Sequence, residues 1–328
     1  MDVPAAPQRP LGVRTVGSPR VAVLSVLAGA LCLSVSAVLV KLAGIDAATT
    51  AVLRCAIAAV VLVPLAFWER RRRGGQSRGA IGWSVVAGVA LGIDYAAWTA
   101  SIYAVGAGIS TVLINVQVIV LPALAWTINR DQPPRPFLIA VPVMLIGVAL
   151  VGGIGTASAG LGSHVASGTL LGVLAGIGYG TYLYLTRRSN TSSPGLIIQS
   201  LCWATCSAAL TAAALAPLGG GLHLGGITPR SWLLLIALAL FGQVIAWLFI
   251  NHGSIHLAPA STAGLLLIQP ILALILSALV LAEYPHWLQL VGVAVILAAV
   301  AVANNVATTA AQLRRKHRHV RPPSADAS

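Results

Sequence analysis

The sequence predicts an all-α integral membrane protein of about ten transmembrane helices, arranged as two inverted five-helix repeats. Three observations carry this. Of 328 residues 58% are hydrophobic and 8% charged, with a mean hydropathy of +0.90, and a water-soluble chain that apolar would precipitate. Apolar stretches of roughly 20 residues, the length that crosses about 30 Å of hydrocarbon at about 1.5 Å per residue, recur almost end to end. Polar residues, finally, recur at a spacing of about 150 positions.

Residues 1–20 read as a cytoplasmic N-terminal tail. Arg14 and Arg20 ahead of Val21 imitate a secretory leader, but the apolar run that follows is longer than a cleavable core and reads as the first span. Hydropathy places spans near 21–43, 47–68, 82–104, 107–129, 136–154, 168–187, 195–217, 230–251, 258–281 and 287–306. Residues 21–154 form the first five-helix repeat, 155–167 an extracytoplasmic linker, 168–306 the second repeat and 307–328 a basic cytoplasmic tail. The breaks carry turn residues: Gly74 and Gly75 after Arg70 to Arg73, Pro133 with Pro134, Pro194, Gly219 to Gly221, and Pro285.

With the N-terminus inside, 17 of the 20 Lys and Arg residues fall on the cytoplasmic side, leaving Lys41, Arg54 and Arg230 elsewhere. That obeys the positive-inside rule and puts both termini in the cytoplasm of a plasma (inner) membrane. The tail from Gln312 onward is suited to anionic lipid headgroups or serves as a topology signal alone. A net charge of +13 does not argue for nucleic acid, because the cations sit in short clusters without interleaved aromatics. Cys32, Cys55, Cys202 and Cys206 lie in apolar stretches and read as packing residues. His252 and His256 have no carboxylate or thiolate nearby in sequence, so no metal site is expected. No phosphate-binding loop, serine elbow or zinc-protease motif is present, so neither an enzyme nor a cofactor is expected.

The repeat is clearest in polar positions. Asp94 and Trp98 recur as Gln243 and Trp247; Ala107, Ser110 and Thr111 as Ala258, Ser261 and Thr262; Gln117, Asp131 and Pro133 as Gln269, Glu283 and Pro285. Five spans is an odd number, so the second copy enters the membrane from the opposite side, and inverted repeats place a site near the midplane at their interface.

These marks, with Lys41 closing the first span, Arg54 in the second and Leu145-Ile146-Gly147-Val148 in the fifth, resemble the EamA-type branch of the drug/metabolite transporter superfamily. One family repeat covers about residues 22–153 and another about 168–304, and Gln269-Pro270 stands where the family commonly carries Glu-Pro. The resemblance implies secondary transport of small metabolites such as amino acids, or of drug-like solutes, by alternating access.

Asp94 is the only acid deep in a predicted span and lies roughly 12 Å from the outer face, nearly level with Arg54 at roughly 10 Å. Burying a charge there costs roughly 2.5–3.5 kcal/mol, so the two either form a structural ion pair or serve as a protonatable acid and a cationic anchor for a substrate carboxylate. Lys41 near the outer interface is expected to snorkel to water, with a place in the substrate path as the alternative. Asn115, Gln117, Gln199, Gln243 and Gln269 are either glue between helices or the polar lining of a cavity that Trp98 and Trp247 would wall. Gly168, Gly172, Gly176 and Gly180 let another helix approach span six closely. The expected partners are a small-molecule solute and protons; a homodimer is left open. The reading is an exporter or exchanger, against a lipid-handling protein or a non-transporting helical adaptor.

Overall fold

The computed structural model describes residues 19–130, 135–151, 163–254, 257 and 265–302. Among them every regular element is helical. They comprise α1 (Pro19–Ala43), α2 (Ala47–Arg73), α3 (Arg78–Val105), α4 (Ala107–Leu113), α5 (Gln117–Asn129), α6 (Arg135–Val151), α7 (Ser163–Ser192), α8 (Ile197–Leu215), α9 (Pro229–Ala239), α10 (Ala246–Ser254), α11 (Ile268–Leu281) and α12 (Trp287–Val302). Six helical runs are long and apolar enough to cross a membrane: α1, α2, α3, α7, the run Ile197–Gly219 and the run Pro229–Ile250. Four apolar runs are shorter, Ala107–Val120, Ile139–Val151, Ile268–Leu281 and Trp287–Val302. Asp131, Pro133, His256, Ala258, Ser261 and Thr262, most of the linker and both tails lie outside the described residues.

Local chemistry sets the ends. Asp46 accepts from the Thr49 amide at 2.8 Å, Ser77 from Ala80 at 3.2 Å and Thr228 from Ser231 at 3.2 Å, each capping the helix that follows. Gly74 (φ 88°) and Gly106 (φ 91°) close α2 and α3 in a conformation that a side chain would strain. Because Ser77 caps it, α3 starts four residues before the apolar stretch read from sequence, and α2 runs on through its arginines. Hydropathy misses such ends, since backbone pairing continues past the last apolar residue. Two expected spans are not regular α-helix. A 3-10 turn, Ile114–Val116, joins α4 to α5, and a π-helical segment, Leu240–Ile245, joins α9 to α10.

Large apolar side chains such as Val60, Leu170, Leu210 and Leu279 are exposed, as a lipid-facing surface requires. Small residues line many helix contacts, because lipid tails give helices no hydrophobic reason to associate and close packing must supply it. A Cβ at Gly88 would collide with the Ala204 carbonyl and Ser207, and one at Gly92 would stand 2.8 Å from the Ala208 carbonyl, so α3 lies almost backbone to backbone on α8. Gly147 and Gly292 make the same kind of contact between α6 and α12. The α7 glycine stripe does admit close neighbours: Gly168 meets Ala104, Gly172 meets Leu113, and Gly176 the Ile114 carbonyl.

Replacing Gly88 by alanine should destabilise the protein by about 1–3 kcal/mol, read as a lower unfolding temperature in detergent. Gly82→Ala, on an open face of the same helix, should be neutral or stabilising by up to about 1 kcal/mol. Equal behaviour of the two would refute the close α3–α8 contact.

Candidate functional site

Polar side chains from both predicted repeats meet in the largest core cluster. Arg54, from the second turn of α2, is 1% exposed. Its guanidinium lies 3.9 Å from the Tyr95 ring centroid and 5.4 Å from that of Trp98, and such cation–π contacts contribute about 2 kcal/mol when dry. Nη2 donates to the Gly242 carbonyl at 3.5 Å, a contact made at a residue without a side chain, since a Cβ there would stand 3.3 Å from that nitrogen. Gly242 belongs to the π segment, and π insertions in membrane helices cluster at functional sites. Among the described residues Arg54 Nε and Nη1 find no hydrogen-bond partner.

Asp94, also 1% exposed, carries an Oδ1 without a partner among the described residues. The structural ion pair expected between Asp94 and Arg54 is not formed: among the described residues no carboxylate lies within ion-pair distance of Arg54. Asp94 adjoins Tyr95, the ring on which Arg54 stacks, so the two groups share one cluster without an ion pair. Gln243 is paired at both side-chain polar atoms, accepting from the Tyr95 hydroxyl and donating to Thr205 Oγ1 at 3.0 Å. Trp247 packs edge-on to Tyr182 at 5.5 Å and to Tyr179 at 5.9 Å. The repeat-related Trp98 and Trp247 share an unusual property, each burying an indole N–H without an acceptor among the described residues.

Arg54, Asp94, Trp98, Gln243 and Trp247 therefore converge. Among the described residues, the other expected site residues do not join them through a hydrogen bond. Asn115 donates to the Thr111 and Val112 carbonyls of its own helix, which makes it a helix fastener. Gln117 Oε1 is unpartnered beside α7, where the Gln117 carbonyl lies 3.1 Å from a Cβ placed on Gly180. Gln269 touches α1 through its backbone, where Ser34 donates to its carbonyl at 2.9 Å.

Lys41 does not snorkel freely. Its Nζ pairs with Glu283 Oε1 at 2.8 Å, with both side chains about a quarter exposed. Glu283 also accepts from the Ala107 amide at 2.9 Å and from Ser277 Oγ at 2.5 Å, tying α1, the start of α4 and the end of α11 together. Beside this pair lies a cavity of about 270 Å³ walled by Tyr103, Ile109, Leu274 and Gln289 among others. It lies at the Lys41 end of the bundle, apart from Asp94 and the two tryptophans.

With this geometry in place, the comparisons with known proteins are informative. The sequence profile of the EamA-like transporter family matches residues 20–153 and again 166–305. The chain belongs to that family. The two matches coincide with the two repeats read from polar spacing, so this EamA-type chain is a membrane transporter built by duplication. A solved crystal structure superposes with a TM-score of 0.56 at 17% identity, covering 87% of this chain and 98% of its own, a likeness of fold alone. No curated protein matches.

Sequence reasoning missed three features of this EamA-type protein. Glu69, beside the four arginines, is 4% exposed and accepts from the Gln199 amide at 2.9 Å, so Asp94 is not the only buried acid. Ser84, Ser189 and Ser200 form a buried hydroxyl cluster at 2.8 to 3.3 Å across α3, α7 and α8. The Lys41–Glu283 pair had one available signal: each is a charge at the end of an apolar span in a chain with only seven acids.

Burial pushes the Glu283 carboxyl up, but hydrogen bonds from Lys41, Ser277 and Ala107, with the Lys41 charge, outweigh it and leave its pKa below the ordinary value. The sign follows by linkage: a lowered folded-state pKa gives stability that is complete above the unfolded carboxylate range and lost as pH falls through the folded value. Glu283→Gln should therefore lower thermal stability by about 1–2 kcal/mol at neutral pH and by less at pH 3. A penalty that does not shrink on acidification would show that the charge is not what holds the strut.

Proposed function

We propose that this protein is a secondary-active exporter or exchanger of small zwitterionic metabolites of the amino-acid type, working by alternating access in the inner membrane. In this reading ten spans form two inverted repeats, both termini are cytoplasmic, and the solute binds at the seam between repeats. The carrying observation is the pair of opposite charges at the centre, buried within reach of one cluster yet not neutralising each other. Buried charges normally pair, and groups left open in a packed core are held for a ligand or for water. Arg54 offers Nε–H and Nη1–H to a carboxylate, Asp94 offers an oxygen to an ammonium, and Trp98, Tyr179, Tyr182 and Trp247 supply apolar walls.

Asp94 is also the group suited to carry a proton, since a neutral acid escapes the charge penalty in a dry core. Arg54 remains charged throughout and is the fixed anchor. Support for the alternating cycle comes from the duplication, because two nearly equivalent packings about one site supply two access states.

Proteoliposomes loaded with amino acids, sugars, nucleosides and cationic drugs should release amino acids selectively, measured by mass spectrometry against protein-free vesicles. Arg54→Gln should slow that release by roughly 30-fold or more, the equivalent of about 2 kcal/mol for a lost charged partner. Asp94→Asn should abolish the dependence on a pH gradient; an unchanged dependence would remove Asp94 from the coupling mechanism. Release of no solute by folded protein would overturn the transport reading.

A further inference from the structure

The loop that follows α2 and the loop that precedes α8 are fastened to each other at the arginine-rich end of the bundle. Gln199 is the hub: its Oε1 accepts from the Gln76 amide at 3.3 Å, its Nε2 donates to the Gly74 carbonyl at 3.0 Å, and its own amide donates to Glu69. Gln76 Nε2 reaches the Leu196 carbonyl at 3.4 Å, Arg73 Nη1 the Gly195 carbonyl at 3.1 Å, and the Ser77 amide Ser193 Oγ at 3.2 Å. Behind this clasp α3 and α8 approach closely through small residues. The contact runs through the Ser84–Ser200 hydroxyls, Gly88 against Ala204 and Gly92 against Ala208.

The second half of the observation is at the other end. Thr49 stands 150 residues before Gln199 and holds the same third position in its helix, and its Oγ1 likewise accepts a loop amide, that of His223, at 2.9 Å. Between that loop and the 44–46 turn, however, the described residues add only an exposed His223 with Nδ1 3.6 Å from Asp46. The related loop contacts differ in strength, and the described cavity, with the Lys41–Glu283 strut beside it, lies at the end where the loop contact is the weaker.

We infer that the Gln76–Gln199 clasp between residues 74–77 and 193–196 is the gate at the arginine-rich mouth of the solute path, shut in this conformation. Its partner around Thr49 and His223 is the gate of the opposite mouth. The chemistry suits a gate: loop hydrogen bonds exchange readily for water, and two flat, small-residue faces part without leaving unfilled sockets. Naming the solute path rests on the transport reading, but the opening itself does not.

Two measurements separate these. In a chain whose four native cysteines are replaced by alanine, Ser84→Cys reports opening through its rate of alkylation by N-ethylmaleimide. Adding Gln199→Ala, or independently Gln76→Ala, should raise that rate roughly tenfold, the effect of losing one or two such bonds, while Gln289→Ala at the other end should not. An unchanged rate in both clasp variants would overturn the gate. In the same cysteine-free chain, Ser77→Cys with Ser193→Cys places thiols where the two hydroxyl oxygens stand 3.4 Å apart, close enough for a disulfide. Oxidation should stop release of an amino-acid load and dithiothreitol should restore it; release at equal rates in both states would also overturn the gate. If the reduced protein moves nothing, the transport reading falls while the alkylation arm still decides the gate.

Discussion

Much of this structure follows from holding a permanently charged guanidinium in a dry helix bundle without letting a carboxylate touch it. Arg54 cannot shed its proton, so its surroundings must offer something else. They offer the faces of Tyr95 and Trp98 and the carbonyl of Gly242. Each contact explains a local departure from regular structure. The π segment brings Gly242 to Arg54, the absent side chain there makes room, and Gln243, next along, takes up the Tyr95 hydroxyl that would otherwise be buried unpaired. The cluster is thus organised so that the arginine is tolerated but not satisfied.

A second constraint is the way the repeats touch. Where bulky side chains interdigitate, as around Trp247 and Tyr182, the second repeat is locked within itself by shape. Where serine, glycine and alanine face each other along α3 and α8, only surface contact and hydrogen bonds hold them. A transporter needs both, a rigid unit to bind against and a seam able to part. Glu69 shows how finely the seam is set: its carboxylate sits at the N-terminal turn of α8, where the helix dipole and an unpaired amide both favour a negative charge. The arginines beside it are then left without an acid of their own on α2, which keeps that end strongly basic.

At the other end the Lys41–Glu283 strut does the opposite. Charges that hydropathy treats as stray neutralise each other beside a cavity, and Glu283 supplies the acceptor that the first amide of α4 lacks within its own helix. The two ends of the bundle therefore differ in charge and in cohesion although they descend from one duplicated unit.

Sequence alone determined the membrane environment, the helical class, the duplication and its family. Those properties rest on composition, on apolar run length and on spacing along the chain, which need no knowledge of neighbours in space. It also singled out Arg54, Asp94, Trp98, Gln243 and Trp247, because polar groups in apolar runs are conspicuous and the repeat pairs several of them. Only the tertiary structure decided that Asp94 and Arg54 stay apart, that Lys41 finds Glu283 some 240 positions away, and that Asn115 merely fastens its own helix. It alone decided that Gln199 is the hub of a clasp. A hydrogen bond depends on an ångström of distance and on direction, and those are fixed by how helices rotate and cross, which one-dimensional spacing does not encode.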